Sequence, residues 1–340
     1  MQTKRVQEAI KAIKNGEMII IMDDEKRENE GDIVFAGEFS SPDKVNFLVT
    51  EARGVLCVSL TNEIATKLDF PLMVDKNSSN HETAFTVSVD AKNAKTGVSA
   101  FERDMTIKLI CNDNSKPSDF ARPGHIFPLI SKKGGVLART GHTEASVDIC
   151  KLAGLKPIAV ICELLKNDGT MASNNDDFVV HFAKKHHLKI LYVSDLVYYR
   201  IQYEQLIHKI EEKSVQFFGQ SCTKFIFIDH LGGKHIVYRF PKITNNVKFH
   251  TFNNTLQLLE NGEFEILSKS IDFLKNNGGY LICINGDKNT TNEESKNFGI
   301  GAQILKYFKI NEFTLLSTHT NRHYVALSGF DLKIKEKILV

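Results

Sequence analysis

Apolar side chains recur at Val6, Ala9, Ile10 and Ile13. That spacing of three and four lines one face of an α-helix, and Gly16 is placed to end it in a left-handed turn. The unbroken apolar run of residues 18–22 predicts a short buried strand, which gives way to a charged loop over 23–32. A strand is expected over 33–38, a helix over 42–51 and a strand over 55–60. Over 84–90 the pattern turns to alternation, with Phe85, Val87 and Val89 on one side, the two-residue period of a half-buried strand. A helix over 143–153 stops at Gly154, and a buried strand follows at 158–161. Asp176 and Asp177 cap a helix running to about residue 187, and a strand is expected over 189–193. Strands and helices mix without strict alternation, which predicts an α+β (mixed α/β) fold rather than a doubly wound sheet.

The character of the chain shifts near residue 200. Residues 217–218, 224–229 and 235–240 read as antiparallel strands joined by glycine-containing turns such as Leu231-Gly-Gly. Helices are expected over 266–274 and 298–308, strands over 280–284 and 313–317, and a polar loop over 285–297. Two domains, 1–200 and 201–340, follow from this division, with no internal repeat.

Composition narrows the class of partner. The 340 residues carry 43 basic and 41 acidic side chains, a net charge of +2. This balance gives no electrostatic reason to expect nucleic acid or an anionic membrane as a partner. No apolar run approaches the ~20 residues of a membrane span, and residues 18–22 are too short for the core of a signal peptide. The six cysteines, at 57, 111, 150, 162, 222 and 283, are too scattered for a disulfide framework or a CxxC site. Reduced thiols in the cytoplasm are the expectation.

Three constellations could carry chemistry. Residues 23–32 hold six carboxylates directly after a buried strand. Such a run reads as a solvated loop or, at a strand end, as oxygen ligands for a hard divalent cation. Arg27 inside it offers a fork for phosphate or carboxylate. Arg122-Pro-Gly-His125 and Arg139-Thr-Gly-His142-Thr-Glu144 place histidines and arginines in glycine-rich loops ahead of a helix. The start of that helix is a natural anion site, and His142 beside it could ligate metal or move protons. Glu163 ends a buried strand, where desolvation would raise its pKa toward that of a general acid or base unless an arginine pairs with it. Cys57 is a nucleophile or a small core residue, and His81-Glu-Thr83 reads as a turn before a strand.

Taken together, DDEKRENEGD (23–32), ARGVLCVSL (52–60), HETAFTVSVDA (81–91), TGVSAFERDMTI (96–107), RPGHIFPL (122–129), GGVLARTGHTEASVD (134–148) and LAGLKPIAVICELL (152–165) resemble 3,4-dihydroxy-2-butanone 4-phosphate synthase of riboflavin biosynthesis. DGTMA (168–172) and FAKKHHLKILYVSDLVYYR (182–200) extend the resemblance over nearly all of 1–200 in order. It implies a three-layer-like domain with a mixed sheet, and a Mg²⁺- or Mn²⁺-dependent lyase that converts ribulose 5-phosphate to the butanone phosphate and formate. Carried over by position, Glu28 and His142 would bind the metal. Arg27, Asp32, Arg139, Thr140, Gly141 and Thr143 would contact substrate and phosphate. His125 and Glu163 would be the essential acid–base or transition-state-stabilising pair, with Glu30 and Cys57 at further active-site positions. The family's enzymes are homodimers with sites at the subunit interface. Glu102 stands where the family usually has aspartate, which keeps the carboxylate.

The second half resembles GTP cyclohydrolase II in pieces, at KNFGIGAQIL (296–305) and around TLLSTHTNRHYVALSGF (314–330). That family binds zinc through three closely spaced cysteines. This half has only Cys222 and Cys283, so no zinc is expected and the domain is read as a smaller α+β relative that has lost the activity. Two alternatives are a bifunctional enzyme that also hydrolyses GTP and a C-terminal module that binds a partner or stabilises the dimer.

Overall fold

The structure, a computed structural model, describes residues 2–23, 27–174, 176–252, 263–285, 293–317 and 332–340. It divides into two compact units, Met1–Tyr199 and Arg200–Val340.

The first unit runs α1 (Gln2–Lys14), β1 (Ile19–Met22), β2 (Gly31–Ala36), α2 (Pro42–Phe47), β3 (Cys57–Thr61), α3 (Asn62–Lys67), β4 (Val89–Ala91), α4 (Ala100–Cys111), β5 (Phe120–Ser131), α5 (His142–Leu152), β6 (Ile158–Glu163), α6 (Asp177–Lys185), β7 (Lys189–Tyr192) and α7 (Val193–Tyr203). The strands form one mixed sheet in the order β4-β5-β3-β6-β2-β1-β7. Strand side chains alternate between its two faces. Ile20, Met22, Ile33, Phe35, Val58 and Val160 enter one core with α2, α4 and α6. Ile19, Ile21, Val34, Ala36, Ala159 and Ile161 enter another with α1 and α5. Helices therefore cover both faces, which is why β1 and β6 read as continuous apolar runs instead of alternating. The sheet and its two helical layers make the three-layer domain that the resemblance implies.

Local signals explain most boundaries. α1 buries Val6, Ala9, Ala12 and Ile13, and Gly16 follows at φ +77° with the Phe39 ring 3.0 Å from where a Cβ would stand. Asp176 caps α6, its carboxylate accepting the Phe178 N–H at 2.8 Å. Two expectations need correction. Residues 84–90 form no continuous strand, because Phe85 and Thr86 make isolated bridges and β4 starts only at Val89. Arg122 and His125 stand on β5 rather than in a glycine-rich loop. Pro123 and Gly124 are tolerated there because the β4–β5 register shifts nearby, between Val89 and Asp90. The sequence pattern did not announce α4, because its buried side includes Asp104 and Thr106. Asp104 is satisfied by the Ser40 hydroxyl at 2.6 Å and Lys108 at 2.8 Å.

The second unit holds β8 (Ile207–Phe217), β9 (Gln220–Asp229), β10 (Lys234–Arg239), β11 (Asn246–Phe252), α8 (Glu263–Asn277), β12 (Tyr280–Asn285), α9 (Glu293–Tyr307), β13 (Glu312–Ser317) and β14 (Lys333–Leu339). Its sheet order is β14-β13-β11-β12-β10-β9-β8. The β8, β9, β10 and β12 pairings are antiparallel, whereas β11 is parallel to β12 and β13, and β13 to β14. Leu267, Ile271 and Leu274 of α8 pack on Leu281, Cys283 and Leu316. The motif stretch 318–330 and most of the polar loop lie outside the described residues.

A buried polar knot closes the β9–β10 turn. The Asp229 carboxylate accepts the Leu231 and Gly233 N–H groups at 2.8 Å each and His235 Nε2–H at 3.1 Å. His235 Nδ1 accepts the Asn285 N–H at 3.2 Å, so the knot also ties down the end of β12. Burial raises the Asp229 pKa, but His235 and the two amides outweigh it and hold the carboxyl at about 2. A depressed carboxyl contributes stability above its unfolded pKa of roughly 4, and that contribution is lost as pH falls toward about 2. Calorimetry from pH 7 to 2 is expected to show this slope. Asp229→Asn should remove it and cost about 2 kcal/mol at neutral pH.

Candidate active site

Four strand ends meet at one point in the first unit: β1 and β6 finish there, and β2 and β3 start there. A cavity of about 350 Å³ opens at this point. It is lined by Arg27, Glu28, Glu30, Asp32, Cys57, Arg139, His142, Thr143 and Glu163, together with His81, Thr83 and Phe85. The acidic loop, the arginine–histidine loop and the strand-end glutamate, separate along the chain, therefore converge. Asp24 and Glu25 lie outside the described residues.

Strand pairing sets the electrostatics. Asp32 and Glu163 are register partners across β2 and β6, a placement in which like charges repel. Asp32 is buried and its Oδ1 has no hydrogen-bond partner. Burial pushes its pKa up; His142 opposes this, while Glu163 and Glu30 add to it. Burial, with Glu28 beside it, also raises Glu30. Glu28 goes the other way: burial would raise it, but His142 and Arg27 hold it at about 2. Burial would lower His142, and the Asp32, Glu28 and Asp23 carboxylates instead hold the ring up, at about 9.

Asp23, Glu28 and His142 each offer a ligand atom, all within 4.8 Å of one another. His142 Nε2–H points to the Ile21 carbonyl at 3.2 Å. Its Nδ1 faces Glu28 at 3.7 Å and Asp32 at 3.8 Å, so the backbone contact selects the ring nitrogen that can ligate. Two carboxylates and an imidazole, with an unsatisfied Asp32 oxygen behind them, suit a divalent cation that prefers oxygen ligands. The Arg27 guanidinium balances these charges in the structure, at 2.6 Å from Asp23 and 2.7 Å and 2.9 Å from Glu28. Asp23 is a candidate ligand that sequence reasoning left inside an undifferentiated acidic run. Its position directly after the first buried strand was the available signal.

The anion side is built around α5. No described side chain caps its N-terminus at Gly141, so the amides of its first turn remain available to an anion. Arg139 is buried beside them. It is held by Glu144 at 2.6 Å, the His81 carbonyl at 3.0 Å and the Thr83 hydroxyl at 3.0 Å. Gly141 does not line the cavity. It makes room for Arg139, whose Nη1 would lie 2.3 Å from a Cβ there. Thr140 does not line it either. His81 does, with Nδ1 3.9 Å from Glu28, so the turn before a strand carries a side chain to the cavity.

Glu163 is oriented by backbone. Its Oε2 accepts the Val55 N–H at 2.7 Å, and no arginine among the described residues pairs with it. Cys57 is only 1% exposed. Burial, with Glu163 and Asp32 nearby, pushes its thiol well up, so it packs as a small core residue and the nucleophile reading falls. His125 is absent from the cavity lining and pairs with Asp90 instead. One chain thus does not bring His125 and Glu163 together in this cavity.

Comparison with known proteins identifies the family. The profile of the family described as 3,4-dihydroxy-2-butanone 4-phosphate synthase matches residues 7–199, and that of GTP cyclohydrolase II matches 254–339. A 3,4-dihydroxy-2-butanone 4-phosphate synthase of Helicobacter hepaticus is 58% identical, with all of both chains covered. The crystal structure of RibBX, a two-domain 3,4-dihydroxy-2-butanone 4-phosphate synthase from A. baumannii, superposes with a TM-score of 0.83 at 35% identity, covering 98% of this chain and 99% of that one. A 3,4-dihydroxy-2-butanone 4-phosphate synthase in complex with two magnesium ions matches at 38% identity with a TM-score of 0.55, covering 58% of this chain and 97% of that one.

The approach of Gly54 to Glu163 is testable. A Cβ at Gly54 would lie 2.5 Å from both the Glu163 carbonyl oxygen and Oε2. Gly54→Ala is expected to displace that carboxylate and cost about 1–3 kcal/mol in chemical denaturation, as overpacking does.

Proposed function

The chain belongs to the 3,4-dihydroxy-2-butanone 4-phosphate synthase family, and on that premise we propose which residues perform its reaction. The activity is a lyase step of riboflavin biosynthesis, conversion of D-ribulose 5-phosphate to L-3,4-dihydroxy-2-butanone 4-phosphate and formate. A divalent cation serves it. We assign residues 1–200 as the synthase domain and Mg²⁺, with Mn²⁺ as the substitute, as the cation.

The observation that carries the site assignment is the convergence of Asp23, Glu28 and His142 beside the Asp32–Glu163 strand pair. Glu28 and His142 hold the cation, with Asp23 available as a third ligand. When bound, the cation neutralises charge that develops as the ketose becomes an enediolate. The first turn of α5, Thr143 and Arg139 receive the phosphate, whose binding energy orients the reacting carbons. Thr140 and Gly141 shape this loop. Arg27, Glu30 and Asp32 contact the sugar, and Cys57 closes the floor beneath it. Glu163, with Oε2 held by Val55 N–H, keeps Oε1 for taking and returning the proton.

His125 belongs to the same reaction through a second copy of the chain. Its separation from the cavity lining supports a homodimer in which each site combines one subunit's Glu163 with the other's His125. Among the described residues no helix is long and apolar enough to cross a membrane. All six cysteines are free and buried, which supports a cytoplasmic location.

We read residues 201–340 as a cyclohydrolase-II-like domain without its zinc chemistry. Cys222 and Cys283 lie in the apolar core of this unit. Burial raises both thiols, Cys283 to about 12, which opposes metal-binding thiolates. Bound zinc together with consumption of GTP would overturn this reading.

NMR of ribulose 5-phosphate with protein and Mg²⁺ is expected to show formate. Glu28→Gln and His142→Ala should weaken the Mg²⁺ dependence; wild-type turnover with an unchanged metal titration would refute them as ligands. Glu163→Gln should abolish turnover while substrate binding is largely kept. Mixing inactive His125→Ala and Glu163→Gln subunits should restore roughly a quarter of wild-type turnover through heterodimers with one intact site. Failure to restore any, with subunit exchange demonstrated, would refute the shared site.

A further inference from the structure

His125 is clamped at two points by one carboxylate. Asp90 Oδ1 accepts the His125 backbone N–H at 2.9 Å, and Oδ2 meets ring Nδ1 at 2.8 Å. The aspartate is buried, whereas the ring is 42% exposed. The β4–β5 register shift lies between Val89 and Asp90, a local kink that re-aims the following side chain.

Two glycines reserve the space for this clamp. A Cβ at Gly97, which has φ +78°, would stand 2.0 Å from Asp90 Oδ2 and 2.7 Å from His125 Nδ1. A Cβ at Gly124 would lie 2.1 Å from the Val89 carbonyl carbon. The loop carrying Gly97 is itself stapled. Glu102 gathers the Lys95 N–H at 2.6 Å, the Thr96 N–H at 3.2 Å, and the Thr96 and Ser99 hydroxyls at 3.0 Å each.

An ionised carboxylate only accepts hydrogen bonds. The contact with Asp90 therefore keeps a proton on Nδ1 whether the ring is neutral or charged, and leaves Nε2 as the nitrogen that gains and loses one. We propose that Asp90 is the positioning residue of the synthase reaction: it fixes the tautomer and direction of His125 so that Nε2 faces the substrate, with Gly97 keeping the clamp open. This rests on the role assigned to His125 above.

The test combines ring ¹⁵N NMR with kinetics on the full chain. In wild type, neutral His125 is expected to carry its proton on Nδ1; a neutral ring protonated at Nε2 overturns the proposal without any variant. Asp90→Asn presents an amide that can donate to Nδ1, so it should move the ring proton to Nε2 and lower kcat by about 10²–10⁴-fold, with KM little changed. In a His125→Ala background the same change should cost nothing further, because Asp90 acts through the ring. Loss of turnover in His125→Ala, with tautomer and kcat unchanged in Asp90→Asn, overturns the positioning role alone. Wild-type turnover in His125→Ala overturns the assignment of His125, and this proposal with it.

Discussion

Asp32 and Glu163 sit opposite one another on paired strands, and the rest of the site answers that repulsion. The two carboxylates face one another in register at the end of a sheet covered on both faces, with Asp32 buried and Glu163 at the cavity. The His142 ring stands 3.8 Å from Asp32, and the Arg27 guanidinium pairs with the neighbouring Asp23 and Glu28, beside the place where a divalent cation fits. The upward shift of Asp32 and His142 and the downward shift of Glu28 are one response to the same crowding. A sugar phosphate brings further negative charge. On the proposed assignment, a metal, a helix N-terminus and buried Arg139 meet that charge.

Backbone contributes as much as side chains to holding these groups in place. Glu163 is oriented by a single amide, and that amide is within reach because Gly54 has no side chain. Gly141 leaves room for Arg139, and Gly97 for Asp90 and His125. At each point a carboxylate or guanidinium occupies the volume a Cβ would take. Such contacts position a reacting group more tightly than a flexible side-chain partner could, and small displacements there are costly to rate.

The second unit matches the GTP cyclohydrolase II profile over 254–339. Its sheet passes from an antiparallel to a parallel half, with α8 packed on the strands. The thiols are ordinary core side chains, and the Asp229–His235 knot has the partners of a catalytic dyad while being spent on backbone amides. On the reading proposed above, fold and function separate here because packing needs only shape and hydrophobicity, whereas zinc chemistry needs exposed thiolates at close spacing.

Much of this was legible in the amino-acid order. The spacing of Val6, Ala9 and Ile13 foretold α1, the apolar runs foretold β1 and β6, and Asp176 marked the start of α6, because burial of one face and satisfaction of terminal amides are local requirements. The acidic run, the Arg139–Thr143 loop and Glu163 stood out as chemistry for the same reason: their residue types conflict with their apolar flanks. Only the tertiary structure decided the rest. It chose Asp23 from the acidic run, placed His81 at the cavity, sent His125 to Asp90 instead of Glu163, and returned Cys57 to the core. Strand register and the closeness of glycine contacts settle such matters, and both join residues that are far apart in the chain.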